Sequence, residues 1–168
     1  ICHLTSVHKA DDIRIFLKEC CSLAKKNFTV SLIAPGATSG LINGVNIIGI
    51  SQGEQSRILR MTLTVWNVLK AAVKCNADIY HLHDPELLTA GIFLKMKGKK
   101  VIYDVHEDVP RQVLDKYWIN KYFRFFISFV FELFENKVSA KLNYIVTATP
   151  HIQKRFLKIN KNTENINN

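Results

Sequence analysis

Short apolar runs alternate with helical patterns along the chain. The apolar runs are bounded by turn formers or charges, which predicts strands. Several runs are almost continuously apolar, as expected of strands covered on both faces. The alternation predicts an α/β fold with a doubly wound, Rossmann-like parallel sheet. The predicted strands are Cys2–Ser6, Thr29–Ala34, Val45–Ile50, Asp78–His83, Lys100–Asp104 and Tyr144–Ala148.

Between these strands, apolar residues recur at helical spacing. The first predicted helix follows Asp11 as its cap and ends near Asn27. A second helix is predicted from about Gln55 to Lys74. The inner face of the first is predicted to be Ile13, Phe16, Leu17, Cys20 and Ala24, and that of the second Ile58, Met61, Val65, Leu69 and Ala72.

The third predicted helix has the strongest end signals in the chain. Asp84 stands at the cap, Pro85 at the first helical position and Glu86 in the positive first turn, and Gly98 is placed to end the helix. Its predicted inner stripe consists of Leu87, Ala90, Gly91 and Leu94.

The helical pattern over Pro110–Lys141 is too long for one helix. A break is predicted near Tyr117–Asn120, which leaves Lys121–Leu142 as one apolar helix. Pro150 then opens a short helix through Leu157.

The last stretch, Asn160–Asn168, is rich in Asn and Lys and has few apolar anchors. Such a composition is typical of a fraying terminus. The sequence therefore predicts one domain over residues 1–158 and a disordered tail or linker over residues 159–168.

Composition narrows the range of partners and compartments. The chain has 168 residues and a net charge of +9, which suits one globular domain with an anionic partner. The basic residues are scattered and no RNA-binding motif is visible, so nucleic acid is the least favoured partner. The four cysteines lack CxxC spacing and no secretory signal is recognisable, so a reducing, cytoplasmic location is expected.

Polar residues follow three of the predicted strands at their carboxyl ends. In an open parallel sheet, ligands bind beyond these ends, near the point where strand order reverses. Because the first and fourth strands are neighbours in such a sheet and the fifth is next, we expect their loops to converge. The residues concerned are Ser6, Val7 and His8, then His81, His83 and Asp84, then Asp104, His106, Glu107 and Asp108.

The histidines at this edge are predicted to differ in role. Alternation along the fourth strand places His81 and His83 on one side, with His83 at the rim. We expect His81 to be a core histidine bonded to a backbone carbonyl. His106 leaves its strand into a loop and has little reason to pack there, so it is the favoured functional residue.

Two kinds of cofactor site could in principle occupy this edge, a metal site and a nucleotide-binding loop. Imidazoles and carboxylates of this type bind zinc or iron, but neither HExxH nor HxHxDH is present, and we expect no metal. A metal-dependent hydrolase or deacetylase using His81, His83 and His106 stays open as an alternative. The glycines form no GxGxxG or GxxxxGK[ST] motif, so no dinucleotide or P-loop site is predicted.

The segment Tyr122–Phe134 is too short and too charged to span a bilayer. Its simplest interpretation is a core helix. However, bases and amphipathic aromatics precede it, namely Lys116, Tyr117, Trp118 and Lys121, and this mixture is typical of an interfacial membrane anchor. Contact with an anionic membrane surface therefore stays open.

Two runs at the polar edge carry a family resemblance. His81–Leu88, followed after a helix by Gly98–Asp108, resembles the N-terminal domain of family 4 retaining glycosyltransferases. The helix start Asp12–Phe16, then Leu23–Lys25 and the strand Val30–Pro35, is similar to the bacterial branch of that family.

The resemblance implies a GT-B enzyme with two Rossmann-like halves facing a cleft. The N-terminal half would hold a saccharide or lipid-linked acceptor, and a missing C-terminal half the nucleotide sugar, without metal or other cofactor. His106 carries over to the histidine beside the donor sugar and reaction centre. The other substrate-binding residues implied by position are Ser6, His8, His83, Asp84, Glu107 and Asp108.

The chain departs from the family pattern in two places. Many relatives have a Gly-rich turn after the first strand, whereas this chain has Ser6–Lys9. The C-terminal Glu-x7-Glu pattern is absent, so the fragment alone is expected to be close to inactive.

The leading hypothesis is a cytoplasmic transferase of cell-surface polysaccharide synthesis at the inner membrane face. A non-catalytic ligand-binding Rossmann-like domain is a further alternative.

Overall fold

The computed structural model describes residues 1–51 and 60–167, which form one eight-stranded sheet with packed helices. The spatial order of the strands is β3-β4-β2-β1-β5-β6-β7-β8. All neighbours are parallel except β3 and β4, which form an antiparallel pair. The strands are β1 (Cys2–Leu4), β2 (Val30–Pro35), β3 (Gly40–Ile42), β4 (Val45–Ile50), β5 (Ile79–Leu82), β6 (Lys100–Val105), β7 (Tyr144–Thr147) and β8 (Thr163–Asn165).

The strand order reverses beside β1. The chain passes from β1 outward to β2 and β4 on one side, and then crosses to β5, β6 and β7 on the other. The predicted doubly wound, Rossmann-like sheet is therefore confirmed, including β1, β5 and β6 as consecutive neighbours. The short edge strands β3 and β8 were not predicted.

The helices connect these strands in the expected places. A π-helical segment, Ile13–Cys20, runs into α1, Cys21–Lys25. The other helices are α2 (Val65–Cys75, preceded by a π-helical turn, Arg60–Thr64), α3 (Leu88–Met96, preceded by a 3₁₀ turn, Pro85–Leu87), α4 (Val109–Leu114), α5 (Lys121–Ser139) and α6 (Pro150–Phe156).

Most predicted helix ends agree with the structure. Asn27 and Gly98 adopt left-handed backbone conformations, with φ of 65° and 81°. Val65 and Ala72 are buried, as are all four residues of the predicted inner stripe of α3. The predicted start of the second helix, residues 55–59, lies outside the described residues.

The first helix corrects its predicted inner face. Asp12 rather than Asp11 caps the segment, and its side chain accepts hydrogen bonds from the amides of Arg14 and Ile15. Ile13 and Leu17 are exposed, because the wider π-helical turn replaces the assumed 3.6-residue period. The buried residues of the segment are Ile15, Phe16 and Cys20.

Two apolar cores lie on opposite faces of the sheet. Side chains alternate along β2, so that Ile33 joins one core while Leu32 and Ala34 join the other. The first core continues under β1, β5 and β6 through residues such as Leu82 and Tyr103. On the opposite face, these three strands instead present polar residues toward the π-helical segment.

Helix α5 packs with a mostly polar side inward, opposite to what is expected of an apolar core helix. Its buried residues are Ser128, Glu135, Val138 and Ser139. The Ser128 hydroxyl donates to the Pro110 carbonyl at 2.7 Å, and the hydroxyl of Tyr103 donates to Glu135 at 2.9 Å. These polar contacts therefore anchor the helix, and most of its aromatic residues point outward.

We call the exposed residues of α5, together with the exposed Tyr117 and Trp118 just before it, the aromatic face. Phe126 and Phe129 keep 62% and 67% of their surface exposed. The prediction of a core helix over Tyr122–Phe134 is therefore wrong. The aromatic face comprises Tyr117, Trp118, Tyr122, Phe123, Phe125, Phe126, Phe129, Val130 and Leu133.

The C-terminal segment is ordered further than predicted. Asn160 is buried and donates to the carbonyls of Ser139 and Leu142, both at 3.0 Å. Thr163–Asn165 then forms β8 beside β7. A disordered tail over residues 159–168 is therefore wrong for these residues, because buried amide bonds and strand pairing replace apolar anchors.

Candidate functional site

The loops after β1, β5 and β6 meet at one edge of the sheet, as predicted. Together they surround an open cavity of about 380 Å³ at the switch point beside β1. Its lining includes His8, His83, Asp84, His106 and Glu107. The residues that the sequence singled out at three strand ends are thus largely brought together.

A buried carboxylate organises the β1 side of the cavity. Asp84 Oδ2 accepts hydrogen bonds from the Thr5 hydroxyl at 2.7 Å and the Ser6 amide at 2.6 Å. The Val7 amide lies 3.3 Å from the same oxygen, and His8 Nε2 lies 3.3 Å from Oδ1. We call this arrangement the Asp84 cradle. Asp84 occupies the cap position of its helix, but its side chain makes no cap hydrogen bond.

Opposing effects set the ionisation of the cradle. Burial raises the pKa of Asp84, but the hydrogen bonds from His8, Thr5 and Ser6 outweigh it and bring the pKa below its usual range. The hydrogen bond to Asp84 in turn raises the pKa of His8.

Three imidazoles lie side by side beneath the cavity. His3 and His81 are register partners on β1 and β5, and their ring centroids are 4.8 Å apart. His83 lies two residues further along β5 on the same side, and its Nε2 is 2.9 Å from His3 Nδ1. These rings occupy a position that apolar residues fill in the core over β2 and β4.

Glu19 reaches these rings from the π-helical segment. Because i→i+5 hydrogen bonding stacks residues five apart, Arg14 and Glu19 lie on one side of the segment, with Arg14 Nε 3.3 Å from Glu19 Oε1. Glu19 Oε2 is buried and has no hydrogen-bond partner among the described residues. We call His3, Glu19, His81 and His83 the imidazole cluster.

Asp104 links this cluster to His106. Its carboxylate accepts hydrogen bonds from Arg14 Nη2 at 2.9 Å and from Arg14 Nε at 3.3 Å, which together form a bidentate ion pair. Its Oδ2 also lies 3.5 Å from His83 Nδ1 and 3.5 Å from His106 Nε2.

Burial determines the protonation of these groups. It lowers the pKa of His106, lowers the pKa of His81 to about 3, and raises the pKa of Glu19 to about 9 with a contribution from Asp104. Asp104 responds differently: burial raises its pKa, but the hydrogen bond with His83 and the adjacent imidazoles hold it well below its usual range. Of these two carboxyl groups, Asp104 is therefore the ionised one and Glu19 the protonated one.

The predicted site residues separate into two groups. His106 lines the cavity with 17% of its side chain exposed, and His8 and Glu107 line it too. His83 is buried rather than at the rim, because it forms part of the cavity floor. His81 makes no bond to a backbone carbonyl among the described residues and faces Glu19 instead.

Ser6 and Asp108 do not line the cavity. Ser6 is buried, and its amide and hydroxyl both point at Asp84. Asp108 faces away toward Arg155, whose Nη1 lies 3.5 Å from Asp108 Oδ1. A direct substrate contact from either side chain is therefore not supported by their positions.

Sequence reasoning missed His3 and Glu19. His3 lies between Cys2 and Leu4 in a buried strand, and a polar residue amid apolar neighbours was the available signal. Glu19 precedes the buried Cys20 in a segment that is π-helical, so the 3.6-residue period expected of an α-helix did not indicate its inward orientation.

The structure does not gather the three histidines of the hydrolase alternative into one ligand set. The ligand atoms that lie together form two groups: His3, Glu19, His81 and His83, and separately His83, Asp104 and His106. His81 and His106 therefore belong to different groups joined only through His83. Within the described residues, no helix combines the length and hydropathy needed to cross a bilayer.

Comparisons with known proteins agree with this architecture. The family model described as Glycosyltransferase Family 4 matches residues 16–166. No curated protein matches the chain. Sucrose-phosphate synthase from Thermosynechococcus elongatus is similar in structure, with a TM-score of 0.70 at 11% identity over 99% of this chain and 47% of that one.

A second, shorter structure of the same enzyme gives a TM-score of 0.61 at 10% identity, covering 100% of this chain and 88% of that one. At such identity the likeness shows the fold, which is one Rossmann-like half of a GT-B architecture. The chain spans about half the length of the longer synthase structure.

Proposed function

The chain belongs to glycosyltransferase family 4, and on that premise we propose that it is the acceptor-side half of a retaining transferase. The enzyme would transfer a sugar from a nucleotide-sugar donor to a saccharide or lipid-linked acceptor. The observation that carries this proposal is that His106 lines an open cavity at the sheet's switch point.

His106 has suitable chemistry for contacting a sugar. Burial lowers its pKa, so the ring is neutral near pH 7. Its Nε2 faces Asp104 and His83, at 3.5 Å and 3.4 Å. If Nε2 donates its hydrogen toward the Asp104 carboxylate, Nδ1 is an acceptor for a sugar hydroxyl. His106 would thereby orient the donor sugar over the reaction centre.

His8 and Glu107 would complete the substrate contacts. Both line the cavity, and His8 is held in place by Asp84. The cavity of about 380 Å³ is open on one side and suits one part of a sugar pair rather than a whole nucleotide sugar. This agrees with a donor bound mainly by a second domain.

The aromatic face supports a location at a membrane surface. Its exposed rings border Lys116 and Lys121, and the chain carries a net charge of +9. Amphipathic aromatics flanked by bases are typical of interfacial binding to anionic lipid. A lipid-linked acceptor of bacterial cell-surface polysaccharide synthesis, used at the cytoplasmic membrane face, would be accessible from such a position.

Turnover in the full-length transferase tests this proposal. We expect His106→Ala to lower kcat by about a hundredfold or more, because it removes a group that contacts the reacting sugar. Release of nucleoside diphosphate from a panel of nucleotide sugars, with membranes as the acceptor source, is the measurement.

His151→Ala is the matched control, since His151 is an exposed histidine on α6 that does not line the cavity. If His106→Ala folds normally and its turnover stays within about threefold of that of the unchanged enzyme, His106 is not part of the site. If the unchanged full-length chain releases no nucleoside diphosphate from any of the nucleotide sugars, the transferase proposal itself is overturned.

A further inference from the structure

Four possible ligand atoms of the imidazole cluster lie close together. Glu19 Oε2 lies 3.7 Å from His3 Nδ1, 3.7 Å from His81 Nδ1 and 3.7 Å from His83 Nε2. His3 Nδ1 and His83 Nε2 are 2.9 Å apart, and all four atoms lie within 4.8 Å of one another. Ligands of a tetrahedral zinc ion, at about 2.0–2.1 Å from the metal, are about 3.4 Å apart. The three distances from Glu19 Oε2 are slightly longer than this spacing, and the distance between His3 Nδ1 and His83 Nε2 is shorter.

Glu19 gives a second, independent indication. Its Oε2 is buried and has no hydrogen-bond partner among the described residues, although three imidazole nitrogens surround it. Distances of 3.7 Å are too long for hydrogen bonds. A buried carboxyl oxygen without a partner is costly, and a cation that displaces its proton would coordinate it together with His3 Nδ1, His81 Nδ1 and His83 Nε2.

We propose that His3, Glu19, His81 and His83 bind one divalent transition-metal ion, with zinc as the best match. Three imidazole nitrogens and one carboxylate oxygen are ligands that zinc accepts, and four protein ligands complete a tetrahedral shell. Such a closed site is structural rather than catalytic. It would tie the π-helical segment to β1 and β5, and it is independent of the transferase activity.

The surroundings of His83 fit this assignment. When its Nε2 binds a metal, the ring hydrogen resides on Nδ1, which lies 3.5 Å from Asp104 Oδ2. Asp104 is itself fixed by the fork of Arg14. Carboxylates in this position orient metal-binding histidines and raise their affinity.

The second group of metal-type residues is a weaker candidate. It consists of His83, Asp104 and His106. Arg14 already neutralises Asp104 there, so no unpartnered charge calls for a cation. The imidazole cluster is therefore the better candidate, and the proposal departs from the metal-free expectation drawn from the sequence.

Metal content and cobalt substitution test the proposal on the full chain carrying no polyhistidine tag. Protein purified from zinc-supplemented medium is expected to hold one equivalent of zinc by elemental analysis. Replacement by Co²⁺ should give the intense visible absorption of a tetrahedral ion, saturating at one equivalent. Glu19→Gln, which keeps the shape of the side chain, should weaken zinc binding by at least about tenfold.

His81→Asn is the second variant and His151→Asn the matched control, with folding of each checked by circular dichroism. Loss of cobalt absorption in Glu19→Gln and His81→Asn, but not in the control, supports the site. Absence of saturable zinc or cobalt binding by the unchanged protein overturns it. Binding that persists equally in both variants overturns it as well.

Discussion

The cavity edge and the aromatic face depart from the usual distribution of residues in opposite senses. At the cavity edge, His3, His83, Asp84 and Asp104 are almost completely buried. On α5, the polar side packs inward and phenyl rings face solvent. Buried charges and large exposed apolar patches are the two departures that most often mark functional surfaces.

The two regions differ in how far the chain satisfies them by itself. The Asp84 cradle is complete, since its carboxylate receives hydrogen bonds from Thr5, Ser6 and Val7 as well as His8. Among the described residues, most rings of the aromatic face are left exposed to solvent, and only Tyr117 and Trp118 contact each other edge to face. Substitutions in the cradle should therefore alter stability, while substitutions on the aromatic face should alter binding alone.

The largest expected effect on stability is that of Asp84→Ala. The change leaves the Thr5 hydroxyl and the Ser6 amide buried without an acceptor, which should cost about 3 kcal/mol of unfolding free energy. Urea denaturation followed by circular dichroism measures it. Asp115→Ala, at an exposed aspartate, is the control and should change stability by less than about 0.5 kcal/mol. Equal losses in the two variants would contradict the role of the cradle.

Sequence patterns predicted the cavity edge well because strand ends carry strong local signals. Parallel topology fixes that β1, β5 and β6 end at one edge, so His8, Asp84 and His106 could be grouped without coordinates. Strand alternation also predicted correctly that His81 and His83 lie on the same side of β5.

The remaining features depend on tertiary packing. The π-helical turn that directs Glu19 inward breaks the period on which helical faces are predicted. The orientation of α5 depends on long-range bonds such as Tyr103 to Glu135, which hydropathy does not encode. Edge strand β8 likewise owes its order to Asn160, a residue typical of disordered tails.

A double substitution on the aromatic face should change membrane binding with little effect on stability. Phe126→Ser with Phe129→Ser removes two exposed rings, each contributing about 1 kcal/mol if half buried in lipid. Binding to vesicles containing phosphatidylglycerol should fall by about thirtyfold. Cosedimentation measures this, and unfolding free energy should change by less than about 0.5 kcal/mol.

Phe28→Ser, at an exposed phenylalanine outside α5, provides the control for the vesicle experiment. It should leave binding unchanged. Equal binding of the double variant and the unchanged protein would exclude the aromatic face as a membrane contact. If the unchanged protein binds vesicles of phosphatidylcholine alone as tightly as vesicles containing phosphatidylglycerol, the basic charge does not contribute to binding.

The smallest expected effect is the pH dependence that His8 adds to the cradle. Its hydrogen bond to Asp84 raises the pKa of His8, so the native state holds this proton more tightly than the unfolded state. The stabilisation is full below the ordinary imidazole pKa of about 6.5 and disappears as pH rises through the raised value. Because 37% of the side chain is exposed, solvent screening limits the gain to about 1 kcal/mol or less. His8→Gln keeps a hydrogen-bond donor but removes the charge, so its unfolding free energy should trail that of the unchanged protein at pH 5.5 and match it at pH 9. A deficit that is the same at both pH values would mean that His8 supports Asp84 by packing and not by its charge.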